Sequence, residues 1–225
     1  MKEEPIDTSD LQQAIEEFAK EMENENKFSK SQMKIINAAM ELFSKKGYEN
    51  STTSNIAKEA GVAEITIFRN FKSKNNLLYH LLAPLIIKIS SPAILKDVKT
   101  QFNKKDKDTG KILEDLTKDR LDLLEKNEKV LRILLRESLS HEEILQSIIK
   151  YITLPAKQEA TEFVNQRINE GEFKNVDSEA IVDLLFYTMF GYVISHQVLK
   201  HEGFTKDKDM MIKTMIELLL NGIKK

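Results

Sequence analysis

The sequence predicts an all-α protein, and two observations support that prediction. Glycine and proline are scarce, at seven and four of 225 residues, and no segment keeps the apolar–polar alternation of a half-buried strand. The hydrophobic content of 41% is enough for the core of one large domain or of two modest ones. We therefore expect a small N-terminal domain of about three helices and a larger C-terminal helical bundle.

The first predicted element is an acidic extension over residues 1–28. It contains three lysines against nine acidic residues, a net charge of −6. Residues 9–24 form an amphipathic helix whose apolar stripe comprises Leu11, Ile15, Phe18 and Met22. That stripe needs a surface to cover, so the extension would pack on the rest of the chain, bind a partner or screen the basic residues that follow.

Three short helices come next. The first spans about 31–46 and ends at Gly47, whose backbone can leave the helix. Thr52 caps the second, Thr53–Ala60, and Gly61 permits the turn into the third, over residues 63–70, which Ala63 cannot cap. The side chains expected in the core are Ile35, Ala38, Ala39, Leu42, Phe43, Val62, Ile67 and Phe71.

The remaining elements are longer helices. Ser73 caps one that runs through Leu82 and that Pro84 must kink or end. Beyond residue 90 we expect helices over 111–125, 128–139, 142–170 (bent at Pro155), 178–201 and from Asp207 onward. Gly191 lies inside an apolar helix, where glycine costs roughly 1 kcal/mol relative to alanine, which suggests a close helix approach.

The second and third helices form a helix-turn-helix with a positive charge around it. This motif lays one helix across the DNA backbone and places the other in the major groove. Residues 29–80 contain seven lysines and one arginine against four glutamates, a net charge of +4, whereas residues 81–225 are balanced. Because phosphate binding requires positive charge, the pattern predicts a DNA-binding domain over residues 29–76.

Order and spacing across residues 31–78 resemble the DNA-binding domain of the TetR family of bacterial transcriptional regulators. The residues that carry the resemblance are Ile35, Ala38, Ala39, Phe43, Gly47, Tyr48, Thr52, Ile56, Ala57, Ala60, Gly61, Val62, Thr66, Ile67, Phe68, Phe71, Lys74, Leu77 and Leu78. The rest of the chain, residues 77–225, resembles the family only in architecture. The resemblance implies that this part binds a ligand and forms a homodimer through its last two helices.

The resemblance also implies the DNA contacts. Thr53 and Ser54 would face phosphate or a base edge at the start of the second helix. On the recognition helix, Glu64, Ile65 and Thr66 would enter the groove. Phe68, at a position that usually contacts phosphate, and Asn70, one turn beyond Thr66, complete the predicted contacts of this helix. Lys74 would clamp a phosphate near the start of the next helix, helped by that helix's dipole.

Two of these positions depart from the family pattern. Phe68 stands where the family most often has tyrosine, and it lacks the hydroxyl that would donate to phosphate. Glu64 places a carboxylate near phosphates, but a carboxylate can accept from the N4 amino group of cytosine. We therefore expect a cytosine near the edge of each half-site, and a thymine methyl group under Ile65.

Other classes of function are excluded by missing motifs. The sequence contains no Gly-rich phosphate loop, no His-Glu-x-x-His and no nucleophile elbow. We expect no enzyme, no catalytic residue, no metal site and no cofactor. The absence of cysteine excludes disulfides and fits a cytoplasmic, nucleoid-associated protein. The longest apolar runs, 81–89 and 184–194, fall short of the roughly 20 residues of a membrane span, so no membrane partner is expected.

The sequence thus predicts a dimeric regulator, expected to be a repressor, that a small apolar or amphipathic ligand releases from a palindromic operator. The candidate ligand contacts are Phe102, Phe186, Met189, Phe190 and His196. The alternative is a DNA-bound dimeric adaptor that answers to a protein partner and has no small-molecule inducer.

Overall fold

The computed structural model describes residues 28–90, 100, 108–199, 203 and 207–223. Within these ranges the chain forms helices and no β-strand, which confirms the all-α prediction. The predicted helix over residues 9–24 and the candidate ligand contact Phe102 lie outside the described residues.

The helices are numbered here in chain order. They are α1 (Lys30–Lys46), α2 (Thr53–Ala60), α3 (Glu64–Phe71), α4 (Lys74–Ser90), α5 (Thr109–Lys126), α6 (Glu128–Glu137), α7 (Glu142–Ile148), the π-helix π1 (Ile149–Thr153), α8 (Leu154–Asn169), α9 (Ser178–Val193), the π-helix π2 (Ile194–Leu199) and α10 (Lys208–Ile223).

The described residues fall into two compact units. The first is drawn from residues 1–89 and 127–152, and the second from residues 90–126 and 153–225. Helices α6 and α7 therefore pack in the same unit as the helix-turn-helix. The predicted functional division after residues 28 and 76 stays a prediction, because packing units do not define functional domains.

In the first unit, α1 packs against both α2 and α6. Its core consists of side chains with almost no exposure: Ile35, Ala39, Phe43, Ile56, Ile67, Phe71, Leu77, Leu78 and Leu82. Glu41 on α1 pairs with Lys129 on α6, and this contact lowers the pKa of the Glu41 carboxyl. Leu42 and Val62, expected in the core, are only half-buried because each lies at its edge.

The predicted cap at Thr52 and the predicted glycine stops at Gly47 and Gly61 are observed. Thr52 Oγ1 accepts from the Asn55 backbone N–H, while Ala63 makes no side-chain cap. Gly47 and Gly61 have φ of 84° and 65°, in the left-handed region that favours glycine. Ser29 and Gln32 also form a complete capping box at the start of α1.

Two predicted helices differ from the structure at their prolines. Helix α4 continues through Pro84 to Ser90 instead of ending there. The helix expected over 142–170 is divided by π1, immediately before Pro155. Because Pro155 has no backbone N–H, it cannot bond the carbonyl four residues earlier, and a wider turn replaces regular α-helix at that point.

In the second unit, α9 is apolar but poorly covered. Residues 178–196 are long and apolar enough to cross a membrane by length and composition alone, with 17% of the window buried. The expectation that no stretch approaches a membrane span is therefore wrong on these two criteria. Gly191 has no atom within 4 Å of a Cβ built on it, so the expected close helix approach is not found among the described residues.

Candidate nucleic-acid interface

Helices α2 and α3 are held together by a tight turn at Gly61. The Gly61 N–H donates to the Lys58 carbonyl at 3.3 Å, and the Val62 N–H donates to the Ala57 carbonyl at 3.0 Å. Ile56 and Ile67 are fully buried on the inner faces of the two helices. The outer faces of α2 and α3 are consequently presented together on one surface.

The recognition helix α3 exposes most of its predicted contacts. Ile65 is 64% exposed and Phe68 is 42% exposed, so two large apolar side chains lie on the outer face of this short helix. Glu64 is also exposed, and Thr66 is half-buried. An exposed apolar side chain on a short helix is suited to contact with a thymine methyl group.

Two predicted contacts bond to each other. The Thr53 hydroxyl donates to Glu64 Oε1 at 2.5 Å, across 11 residues of sequence. The carboxylate also lies in the first turn of α3, where the helix dipole favours negative charge. In this conformation the proton of the Thr53 hydroxyl is not available to a phosphate, whereas Ser54 beside it is exposed.

Asn70 is used within its own helix. Its side-chain amide donates to the Thr66 carbonyl at 2.7 Å, and the residue is half-buried. Its second amide N–H and its amide oxygen are then left for DNA. The contact predicted for Asn70 stays a prediction, and this side chain would offer one donor and one acceptor.

A strained turn connects α3 to α4. Lys72 has φ of 60° and ψ of −45°, the only positive φ outside glycine among the residues described. The Ser73 N–H donates to the Phe71 carbonyl at 2.6 Å, which makes this a γ-turn of the rare type with positive φ. Ser73 then caps α4 by accepting from the Asn76 N–H at 3.0 Å. The turn sets Lys74 in the first turn of α4.

Lys74 lies over an aromatic ring that sequence reasoning did not assign to the site. Its ammonium nitrogen is 4.0 Å from the ring centroid of Tyr48, in cation–π geometry. The Tyr48 hydroxyl donates to Asn75 Oδ1 at 3.3 Å. An aromatic residue directly after Gly47 was a visible signal, but nothing local in the sequence links it to residue 74.

A chain of polar contacts continues from Tyr48 into α7. The Asn75 amide donates to the Tyr79 hydroxyl at 2.8 Å, and Tyr79 donates to Glu143 Oε1 at 2.5 Å. Burial, followed by the charges of Glu49, Glu137 and Glu143, raises the pKa of Tyr48 to about 12. Burial and the Glu143 hydrogen bond raise the pKa of Tyr79. Both phenols are therefore protonated hydrogen-bond donors at neutral pH.

The predicted ligand contacts lie in the second unit but form no single described site. Phe186 and Met189 are half-buried, and Phe190 is 56% exposed. His196 stacks on Tyr192 with ring centroids 4.1 Å apart. The apolar groove found in this unit is lined by other residues of α9 and α10. No cluster of His, Cys, Asp and Glu that could hold a metal occurs in the described part of the chain.

An all-helical chain with a helix-turn-helix whose outer face is exposed belongs to the class of DNA-binding regulators. Residues 35–81 match the model of the bacterial regulatory proteins of the TetR family. Residues 35–81 therefore form a DNA-binding domain of the TetR type, and the similarity to a transcriptional regulator over most of the chain supports a function in transcriptional regulation.

Individual proteins resemble the chain in sequence or in fold. YvkB, an uncharacterised HTH-type transcriptional regulator of Bacillus subtilis (strain 168), is 28% identical over 190 residues, 84% of this chain and 95% of that protein. The fatty acid metabolism regulator protein of the same organism is 49% identical over 49 residues, 22% of this chain and 25% of that protein. The solved structure of the fatty acid degradation regulator FadR from Bacillus halodurans is 23% identical and has a TM-score of 0.60. That match covers 86% of this chain and 96% of the other.

Proposed function

We propose that this protein is a homodimeric repressor that a small amphipathic ligand, of the acyl-chain class, releases from a palindromic operator. The observation that carries the DNA-binding part is the exposed face of α3. Glu64, Ile65 and Phe68 project from a helix whose opposite side is fully buried. Ile65 and Phe68 lie one turn apart on the same face, and a contiguous apolar patch of this kind marks a surface that another molecule can cover.

On DNA, phosphate contacts fix the register and groove contacts read the sequence. Ser54 and Lys74 supply phosphate contacts from the starts of α2 and α4, and Phe68 contributes only apolar contact. Ile65 and Glu64 read a thymine methyl group and a cytosine amino group. Thr53 holds the Glu64 carboxylate in place for that reading, and Thr66 and Asn70 complete the face.

The dimer forms through α9 and α10. Leu184, Tyr187 and Leu218 are 56%, 69% and 69% exposed in the single chain. Between these two helices lies an apolar groove of about 550 Å³, lined by residues that include Leu185, Met211 and Met215. A second copy covers this surface, as homodimer interfaces are more apolar than other protein surfaces. The same contact explains the exposed, apolar helix α9 without a membrane.

Release follows from the geometry of a dimer on DNA. The two recognition helices must enter successive major grooves, roughly 34–36 Å apart. A ligand that favours a different separation by about 1–3 kcal/mol changes affinity about 5- to 150-fold. The chemical class of the ligand is proposed from the two relatives whose names refer to fatty acid metabolism and degradation. As in other regulators of this family, the site of action is the cytoplasm, on the nucleoid.

The test begins with native mass spectrometry of protein purified from its own host, to find any retained small molecule. Added back to protein on the DNA upstream of its own gene, that molecule is expected to weaken binding at least about fivefold. Fatty acids and acyl thioesters of graded length, with a chain-matched alcohol as control, test the class. Sequence-specific binding that responds to none of them, and no retained ligand, would favour the partner-controlled adaptor.

A further inference from the structure

A histidine lies between two glutamates at the corner where α6 meets α7. His141 Nε2 is 3.7 Å from Glu137 Oε2, and His141 Nδ1 is 3.4 Å from Glu143 Oε1. Glu137 is only 5% exposed. The His141 Nε2 atom is buried and has no hydrogen-bond partner within the described part of the chain. A buried polar atom of this kind requires an explanation.

The charge state of the ring decides what this corner can bond. A neutral imidazole donates from one nitrogen only, whereas an imidazolium donates from both. Only the charged ring can therefore donate a hydrogen bond to both carboxylates at once. Burying the Glu137 carboxylate without a paired charge is costly, so a charged ring at residue 141 ties the end of α6 to the start of α7.

The same ring touches the residue under Lys74. His141 meets Tyr48 edge to face, with ring centroids 5.4 Å apart and an interplanar angle of 86°. Tyr48 in turn carries the Lys74 ammonium at 4.0 Å from its centroid. The Tyr48 ring thus lies between His141 and Lys74, the predicted phosphate contact. All three residues belong to one compact unit.

We propose that His141 is a positioning residue for DNA binding, which sets Lys74 through the ring of Tyr48 and makes operator affinity depend on pH. This inference rests on the proposed phosphate contact of Lys74. The charged imidazole holds the junction of α6 and α7 in place, and with it the Tyr48 ring. When the imidazole is neutral, the Tyr48 ring is held less firmly. Operator affinity should therefore be highest at low pH and fall as the ring loses its proton.

Other charged and titratable groups lie at this ring or one contact away from it. Glu137 approaches from α6 and Glu143 from α7, while Tyr48 approaches from the loop after α1. Glu49 acts on Tyr48 from the same loop, and Tyr79 reaches Glu143 from α4. Arg136 Nη1 lies close to Gly47, 3.2 Å from where a Cβ would stand.

The experiment measures operator affinity by fluorescence anisotropy from pH 6 to pH 8 at fixed ionic strength, on the protein's own upstream DNA. We expect wild-type affinity to fall about fivefold or more over this range. His141→Phe keeps an aromatic ring against Tyr48 but cannot take up a proton. It should flatten the pH profile and hold affinity near the high-pH value of the wild type.

Two neighbouring glutamates supply a matched control. Glu143 faces His141 and Tyr79, whereas Glu142 is exposed and accepts from Gln146 at 2.6 Å. Glu143→Gln should reduce the pH dependence, and Glu142→Gln should leave it unchanged. In a Lys74→Met background, replacing His141 by Phe should have no further effect, because the positioned group is gone.

A His141→Phe protein that is folded by circular dichroism and keeps the wild-type pH profile would overturn this inference. So would equal effects of Glu143→Gln and Glu142→Gln. In both cases sequence-specific binding by the wild type would leave the proposed function intact. If the wild type binds none of its upstream DNA at any pH, the proposed function fails, and this inference fails with it.

Discussion

At the scale of single residues, Glu64 shows how one predicted DNA contact can depend on another. The carboxylate accepts from the Thr53 hydroxyl at 2.5 Å, which fixes its direction on the exposed face of α3. A fixed acceptor loses less conformational entropy on binding than a mobile one. It also cannot turn toward a different base, so it favours the base whose donor matches its position. The same charge repels phosphates, so Glu64 should lower affinity for DNA in general while it raises selectivity.

The first prediction concerns that selectivity. Glu64→Ala should lose the preference for cytosine at one position of each half-site, by about 1–3 kcal/mol, and should bind unrelated DNA more tightly. Anisotropy titrations with operators carrying each base at that position measure both effects. Glu59→Ala removes an exposed carboxylate of α2 and serves as the control. Operator binding at least as tight, with unchanged base preference, would show that Glu64 reads no base.

The second prediction concerns the buried phenol under Lys74. The pKa of Tyr48 is about 12 in the folded protein and about 10 in an unfolded chain. The folded state therefore holds the proton more tightly, and this contribution to stability is present below pH 10 and lost as pH rises through 12. Tyr48→Phe should make the free energy of unfolding in urea fall less steeply between pH 10 and pH 11.

Tyr151 provides the control for that experiment, because it lies in π1, outside both the Tyr48–Lys74 contact and the proposed dimer surface. Tyr151→Phe should leave the alkaline loss of stability as it is in the wild type. An equal effect of the two substitutions would mean that the Tyr48 phenol is not the group whose titration is measured.

At the scale of the helices, α2 and α3 differ at their N-termini. Thr52 caps α2 through its hydroxyl, whereas α3 begins after Ala63 with no side-chain cap. Thr52→Ala should lower the free energy of unfolding by about 0.5–2 kcal/mol, and Ala63→Ser should raise it toward the low end of that range. Urea unfolding of both variants measures these two changes in the free energy of unfolding. Changes of the same sign would contradict this account of the helix ends.

The sequence predicts helix ends well where the signal is local. Gly47, Gly61, Thr52 and Ser73 each occupy the position that their backbone or side-chain chemistry favours. The π-helices are not predictable in this way. Pro155 indicates a disturbance, but how the widened turn π1 accommodates the missing hydrogen bond depends on packing around it. Pro84 likewise does not end α4.

The residues of the candidate site stay predictions from the sequence, and the contacts that they make with one another were not predicted. The spacing of α2 and α3 identifies the exposed face. The Thr53–Glu64 hydrogen bond, and the placing of Lys74 over Tyr48, join residues 11 and 26 positions apart. Such contacts depend on tertiary packing, which helical periodicity does not predict. His141 had no local motif to distinguish it from an ordinary half-buried histidine.

At the scale of the whole molecule, the proposed dimer depends on the exposed faces of α9 and α10. If they meet a second copy, a charge placed there should prevent dimerisation. Leu184→Glu combined with Leu218→Glu should shift the protein from dimer to monomer in light scattering after size-exclusion chromatography. It should also weaken operator binding, because a monomer binds one half-site only.

Leu139 supplies the control for this double substitution. It is 89% exposed and lies outside α9 and α10, so Leu139→Glu should leave the dimer intact. A double variant that stays dimeric would place the interface elsewhere on the chain. A wild-type protein that is monomeric at micromolar concentration would contradict the proposed assembly.

The central claim is that each protomer binds one half-site of a two-fold symmetric operator with α2, α3 and the start of α4. The measurement that tests it most directly is a footprint on the upstream DNA of the gene, combined with the salt dependence of binding. We predict two protected half-sites about 10 base pairs apart, and a slope of log affinity against log salt that Lys74→Met reduces by about two per dimer. A footprint without two-fold symmetry, or an unchanged slope, would contradict the claim.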